Sequence, residues 1–276
     1  MCEVLSVSRS AYYAYRSGSS WQDRMTESAL AKELEHTFEA HKRRYGSRRL
    51  YRALQNKGYS VGRHRVRRLM QLLSLQAIQP RSFVPKTTQA DDSRIRSPNL
   101  LLDRVLPPST INSIWVGDIT YLPARNGWLY LSVWMDLCSR QIVGWQVEQH
   151  MQSSLVFQSL QKAQRKRQAN GGLIIHSDGG SQYKAKQFRI WLAQHNFEQS
   201  MTRKDNHYDN AFMESVFSRI KAEMLSDYPY FEDLEDANLR LFEYIEGYYN
   251  TIRMHSALNY TSPMQFEENL LKEQRK

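Results

Sequence analysis

The most constraining stretch of this chain is the apolar run Leu173-Ile174-Ile175, which carries His176, Ser177 and Asp178 straight into Gly179-Gly180. A short apolar run closed by glycines reads as a buried strand ending in a tight turn. In an open α/β sheet, the carboxyl edge of such a strand is where reacting groups collect. An earlier segment, Ile114 to Tyr121, alternates as a second strand. Trp115, Gly117, Ile119 and Tyr121 fall on one face, and Val116, Asp118 and Thr120 on the other. Aspartate is depleted in strand interiors, so Asp118 needs a chemical reason to be there. A third acid, Glu214, sits near the start of a helix beginning around Ala211, whose Phe212, Val216, Phe217 and Ile220 recur at helical spacing. Lys221 follows seven residues on, two turns along the same stripe.

Carboxylates from a strand middle, a strand end and a helix start are the donor set that a pair of divalent cations requires. Hard cations such as Mg²⁺ take carboxylate oxygens and keep positions open for phosphate and water. Two ions about 3.5–4 Å apart can stabilise both the attacking and the leaving oxygen of an in-line phosphoryl displacement.

Asp118, Asp178, then Glu214 after thirty-five intervening residues, then Lys221, resembles the catalytic signature of retroviral integrases and related transposases. The words HSDGGSQY, DNAFMES and YYNTIRMHSALNYTSPMQF look like the second-reading-frame (OrfB) transposase of insertion sequences of the IS-three type. The resemblance covers nearly the whole chain. It implies a DDE transposase with Asp118, Asp178 and Glu214 as catalytic, metal-binding residues and two Mg²⁺ ions per site, for which Mn²⁺ can substitute. In the implied reaction, water attacks the terminal phosphodiester and frees a 3′-hydroxyl. That hydroxyl then attacks a second phosphodiester, with no covalent protein intermediate. The implied partners are double-stranded DNA (the element's terminal inverted repeats and the target), further copies of the chain on paired ends, and an upstream OrfA protein or OrfAB fusion. The start at Met1 with a short leader fits a second-frame product.

The charge distribution fits a polyanionic partner. The chain carries a formal net charge of +10, yet residues 1–80 hold 15 Lys+Arg against 6 Asp+Glu while the remainder is nearly balanced. Cys2 and Cys138 are the only cysteines, which excludes a disulfide framework and a zinc module of the kind retroviral integrases carry. No apolar run is long enough to span a membrane and no signal-peptide pattern occurs. The expected compartment is the bacterial cytoplasm, in association with the nucleoid.

The chain divides into four expected regions. Residues 1–78 read as helical. Val4, Leu5 and Val7 suggest a short helix, followed by one capped by Ser8 or Ser10, which is either half of a helix-turn-helix or an ordinary packing pair. Next come a Leu30-Leu34-Phe38 helix, a Leu50-Leu54 helix ending before Lys57-Gly58, and a Val66-Leu69-Met70-Leu73 helix after Gly62. With Arg48, Arg49, Arg63, Arg65, Arg67 and Arg68 massed on the last two, a helix-turn-helix DNA-binding region is expected, gripping mostly phosphates. Residues 79–110, with five prolines, read as an extended linker. Residues 111–266 are the expected core: strands at Asp118, Trp128–Asp136 and Gln141–Val147, a helix at Ser153–Gln168, the Asp178 strand, a helix at Lys184–His195, a strand at Phe197–Met201, and the Glu214 helix. That order is an α/β ribonuclease H-like integrase core with a mixed five-stranded sheet. A long helix over Phe231–Tyr249 is expected to close it, and residues 267–276 read as a polar, frayed tail.

Among the remaining candidates, Asn210 is expected to orient an acid or water, or to touch DNA. Arg203 and Lys204 begin a basic loop suited to gripping a DNA end, although relatives commonly show glycine and cysteine where this chain has Asp205 and His207. His176 is either a hydrogen bonder behind the acids or a packing residue. Trp115 is expected in the core. The rival readings are a ribonuclease H-like nuclease that only hydrolyses and a catalytically inactive DNA-binding regulator.

Overall fold

The computed structural model describes residues 2, 6–17, 19–80, 96–203 and 210–274, without the side chains of 19–27. The chain separates into two compact units, residues 1–79 and 80–276. In the first, α1 (Arg9–Arg16) starts where the Ser8 hydroxyl accepts from Ala11 N–H. The shorter helix expected over Val4-Leu5 lies outside the described residues. α2 (Ser19–Ala40), α3 (Ser47–Asn56) and α4 (Arg63–Leu72) follow, with Gly46 and Gly62 as the residues preceding α3 and α4. Leu34, Leu50, Leu54 and Val66 are fully buried, so the three stripes read from the sequence meet in one core. Lys57 beyond α3 bonds Glu33 Oε1 (2.6 Å) and Thr37 Oγ1 (2.9 Å), tying the α3 end to α2.

The second unit is a five-stranded sheet of order β3-β2-β1-β4-β5, built from β1 (Ile114–Ala124), β2 (Gly127–Asp136), β3 (Ile142–Glu148), β4 (Ile174–Ser177) and β5 (Glu198–Met201). β1 pairs antiparallel with β2, and β2 with β3, whereas β1, β4 and β5 are parallel. Helices cover both faces. On one, Trp115, Trp134, Val143 and Ile175 pack with α5 (Ser153–Arg167), α6 (Ser181–Lys184) and α7 (Lys186–Gln194). On the other, Val116, Leu131, Val133 and Ile174 pack with α8 (Ala211–Met224) and α9 (Leu234–Tyr244). Trp115 is thus a core residue, as the alternation implies. A large apolar side chain buried this way contributes roughly 1.5–3 kcal/mol.

Three expectations change. The helix expected over Lys184–His195 is α7, and a separate short helix not read from the sequence, α6, precedes it, the two divided by Ala185 in an extended conformation (φ −54°, ψ 134°). The closing helix starts at Leu234 and not at Phe231. Phe231 is held by the end of β1, exchanging backbone bonds with Pro123 O and Arg125 N–H, and Asp233 then caps α9 by accepting from Asp236 N–H (2.8 Å). Its last turn, Ile245–Tyr249, widens to a π-helix. The tail is helical in α10 (Pro263–Gln274), not frayed. There Glu267 accepts from Arg167 at 2.6 and 2.9 Å and from Ser139 Oγ at 2.6 Å, which buries a charge that looks solvent-facing in sequence.

A second buried ion pair fixes α8. Glu223, near its carboxyl end, takes three bonds of 2.6–3.1 Å from the Arg253 guanidinium and one of 2.8 Å from Tyr244 Oη. Both charged side chains are almost wholly shielded. Removing one member of such a pair strands the other. Glu223→Gln is therefore expected to destabilise this unit by about 3–5 kcal/mol, read as a lower denaturant midpoint.

Candidate functional site

The two aspartates meet because of strand register. β1 and β4 pair as Ile114↔Ile174, Trp115↔Ile175 and Val116↔His176. The ladder ends at that last pair, and two residues beyond it on each strand come Asp118 and Asp178, the latter where β4 gives way to its glycine turn. Adjacent strands lie about 4.8 Å apart, so the two carboxyl groups are neighbours on the α8 side of the sheet. Gly117 makes this possible from beneath, since a Cβ there would run into the Trp134 indole, which fills the opposite face. Trp134 Nε1 is anchored to Ser159 Oγ of α5 (3.0 Å).

Each carboxylate accepts one backbone hydrogen bond through Oδ1: Asp118 from Ile119 N–H (2.7 Å) and Asp178 from Gly180 N–H (3.0 Å). Neither Oδ2 accepts a hydrogen bond among the described residues. Burial holds Asp118 well above the usual carboxylate range, and the Asp178 and Glu214 charges push it the same way, against Ile119 N–H and Lys221. Burial also raises Asp178, while the Gly180 N–H and the charges of Arg96 and Lys184 pull it back. Two half-buried carboxylates repelling each other, with open lone pairs, are the chemistry a divalent cation relieves.

Glu214 is exposed in the first turn of α8, close enough for its charge to act on Asp118. No three acidic, histidine or cysteine side chains among the described residues are drawn together as a metal cluster. Lys221 is half-buried on the same helix; burial lowers its pKa, opposed by the Asp118 charge. Asn210, the residue preceding α8, is buried, and neither side-chain amide atom has a partner among the described residues. His176 is fully buried and shares a 2.8 Å bond with Ser200 Oγ of β5.

Three residues near the acids escape the sequence reading: Arg96, Lys184 and Tyr183. Tyr183 ends the HSDGGSQY word, and its buried hydroxyl has no partner among the described residues. Burial raises its pKa well above normal, as do the charges of Asp178 and Asp118. Lys184 is the next residue, so both lay within reach of that motif. Arg96 carried no signal, since it sits among other charges in the linker. Of the expected DNA-contacting residues, Arg48, Arg63, Arg67 and Arg68 are exposed on α3 and α4, and Arg49 and Arg65 half-exposed. Arg203 is exposed after β5. Lys204, with the rest of its loop through Asp209, lies outside the described residues.

Comparison with known proteins places this geometry. One Integrase core domain model matches residues 108–207, a second model of the same description matches 214–271, and the HTH-like domain model matches 26–83. The transposase for insertion sequence element IS904 of Lactococcus lactis subsp. lactis (strain IL1403) is 40% identical, over 87% of this chain and 93% of its own length. The transposase InsF for insertion sequence IS3A of Escherichia coli (strain K12) is 35% identical, over 98% of this chain and 94% of its own length. This chain belongs to the IS3-type insertion-sequence transposases. The transposase also shares its fold with a chain of the simian T-cell lymphotropic virus intasome solved with the PP2A regulatory subunit B56 gamma. That match has a TM-score of 0.50 at 16% identity and covers 86% of this chain and 73% of the other. The transposase is a DNA-binding enzyme whose mixed five-stranded sheet and amino-terminal helical region are those expected from the sequence. Among its described residues no helix is long and apolar enough to cross a membrane.

An acid with a raised folded pKa keeps a proton that the unfolded chain has released, so its contribution to stability falls as pH rises. The metal-free transposase is therefore expected to lose thermal stability as pH rises above the ordinary carboxylate range. Asp118→Asn is expected to flatten that profile and raise the midpoint at pH 8, while lowering strand transfer by about 10²–10⁴-fold, the worth of several kcal/mol.

Proposed function

We propose that Asp118 and Asp178 hold the first of two divalent cations and, with Glu214, complete the second, with Mg²⁺ the natural ion and Mn²⁺ able to replace it. The carrying observation is the half-buried pair of repelling carboxylates with unused oxygens at the carboxyl edge of the sheet. When bound, such ions stabilise the attacking and leaving oxygens of an in-line phosphoryl displacement. The chain's own groups then position DNA around the acids. Lys221, half-buried by Asp118, holds a backbone phosphate, and the Asn210 amide orients the acid or an incoming nucleophile. Exposed Arg48, Arg63, Arg67 and Arg68, with Arg49, Arg65, Arg203 and Lys204, contribute phosphate contacts, which give affinity and salt dependence more than sequence choice.

In this reading the reaction runs in two displacements. Water attacks the phosphodiester at the element end, its oxygen bonding to phosphorus as the 3′-oxygen leaves. That 3′-hydroxyl then attacks a target phosphodiester, forming one P–O bond as another breaks. The ends are the element's terminal inverted repeats, brought together by more than one copy of the chain. An OrfA protein or OrfAB fusion supplies end recognition, and the work takes place on the bacterial nucleoid.

The test is a strand-transfer assay with labelled element-end DNA and a plasmid target. Joined products are expected with Mg²⁺ or Mn²⁺ and none with EDTA, and Glu214→Gln is expected to abolish both cutting and joining. Cut ends without joined products would favour a purely hydrolytic nuclease. Unchanged activity in Glu214→Gln would remove that acid from the site.

A further inference from the structure

The segment leading into the sheet is not a slack tether where the structure describes it. Residues 97–100 lie along the free edge of β5: Ser97 Oγ donates to Gln199 Oε1 (3.0 Å), Met201 N–H to Pro98 O (3.2 Å) and Leu100 N–H to Ser200 Oγ (2.9 Å). These bonds fix Arg96 where β4 and β5 end. Its Nε and Nη2 both donate to the Thr202 carbonyl, at 2.9 and 2.5 Å. Thr202 N–H is in turn bound by Ser177 O (2.9 Å), the residue before Asp178. The guanidinium lies over the Asp178 turn, where a Cβ on Gly179 would stand 3.1 Å from Cζ and Nη2 and 3.4 Å from Nη1.

That placement leaves one edge of the arginine unused. Nη1 makes no hydrogen bond among the described residues, and the side chain is exposed. Anchoring a carbonyl alone would be within the capacity of a lysine. What arginine adds is a rigid planar fork with a further donor edge, the geometry that takes phosphate oxygens. The fork is held rigid by Thr202, is close enough for its charge to act on Asp178, and stands against the turn that carries this acid.

We propose that Arg96 is a phosphate-binding residue of the active site, delivered by the linker, whose free guanidinium edge takes a non-bridging oxygen of the DNA strand beside Asp178. The proposal rests on the polynucleotidyl-transfer reading, but its decisive test measures binding rather than catalysis. Full-length wild type, Arg96→Gln and Arg96→Lys are compared for binding to element-end duplexes in EDTA across a salt series. A second set of duplexes carries one neutral methylphosphonate at each successive position.

Arg96→Gln is expected to weaken binding about 10- to 100-fold and to lower the slope of log affinity against log salt by about one contact. One phosphate is expected whose neutralisation weakens wild type but not Arg96→Gln, with Arg96→Lys intermediate. An unchanged salt slope together with the wild-type pattern of phosphate sensitivity would overturn the proposal, whether or not the variant is less active, and would leave Arg96 as an anchor for Thr202. Loss of joining by wild type itself would count against the reaction, while the binding comparison would still decide Arg96.

Discussion

Two like charges brought side by side in a poorly solvated place are the constraint on which the rest of this transposase depends. Asp118 and Asp178 come from segments sixty residues apart, and parallel pairing of β1 with β4 makes them neighbours. Nothing in the chain alone makes this arrangement favourable. Burial and mutual repulsion hold Asp118 well above its ordinary range, and Lys221, Arg96 and Lys184 offset only part of that cost. A fold that keeps such a pair stores the demand for a cation in its own electrostatics.

The scaffold meets that demand by rigidity from below and behind. Gly117 yields its side-chain space to Trp134, which is locked to α5 through Ser159, so the strand under Asp118 rests on a filled core. Behind the site, Glu223, Arg253 and Tyr244 form a buried network that fixes the far end of α8, the helix bearing Glu214 and Lys221. The open parts lie on the solvent side: exposed Glu214 and the arginine edge above Gly179. A polymer substrate needs that combination of a stiff floor and an accessible roof.

Much of this was legible in the sequence because it rests on local periodicity. Alternation placed Asp118 on the correct face and Trp115 in the core, and the apolar spacing after Ala211 marked the helix that carries Glu214. What escaped depends on partners far along the chain. Glu267 looks like part of a polar tail until Arg167, a hundred residues earlier, is found bonded to it. Phe231 fits a helical stripe, but the end of β1 captures its backbone. Arg96 shows no periodicity at all, and only the tertiary path of the linker sets it over the Asp178 turn.

If the aspartate pair is a cation seat shared between two strands, an ion there needs both carboxylates. Counting bound Mn²⁺ by electron paramagnetic resonance, in wild type, Asp118→Asn and Asp178→Asn without DNA, tests it most directly. Wild type is expected to bind Mn²⁺ and each single replacement to lose at least one ion, because neither carboxylate holds it alone. Wild-type stoichiometry and affinity retained in either variant would contradict it.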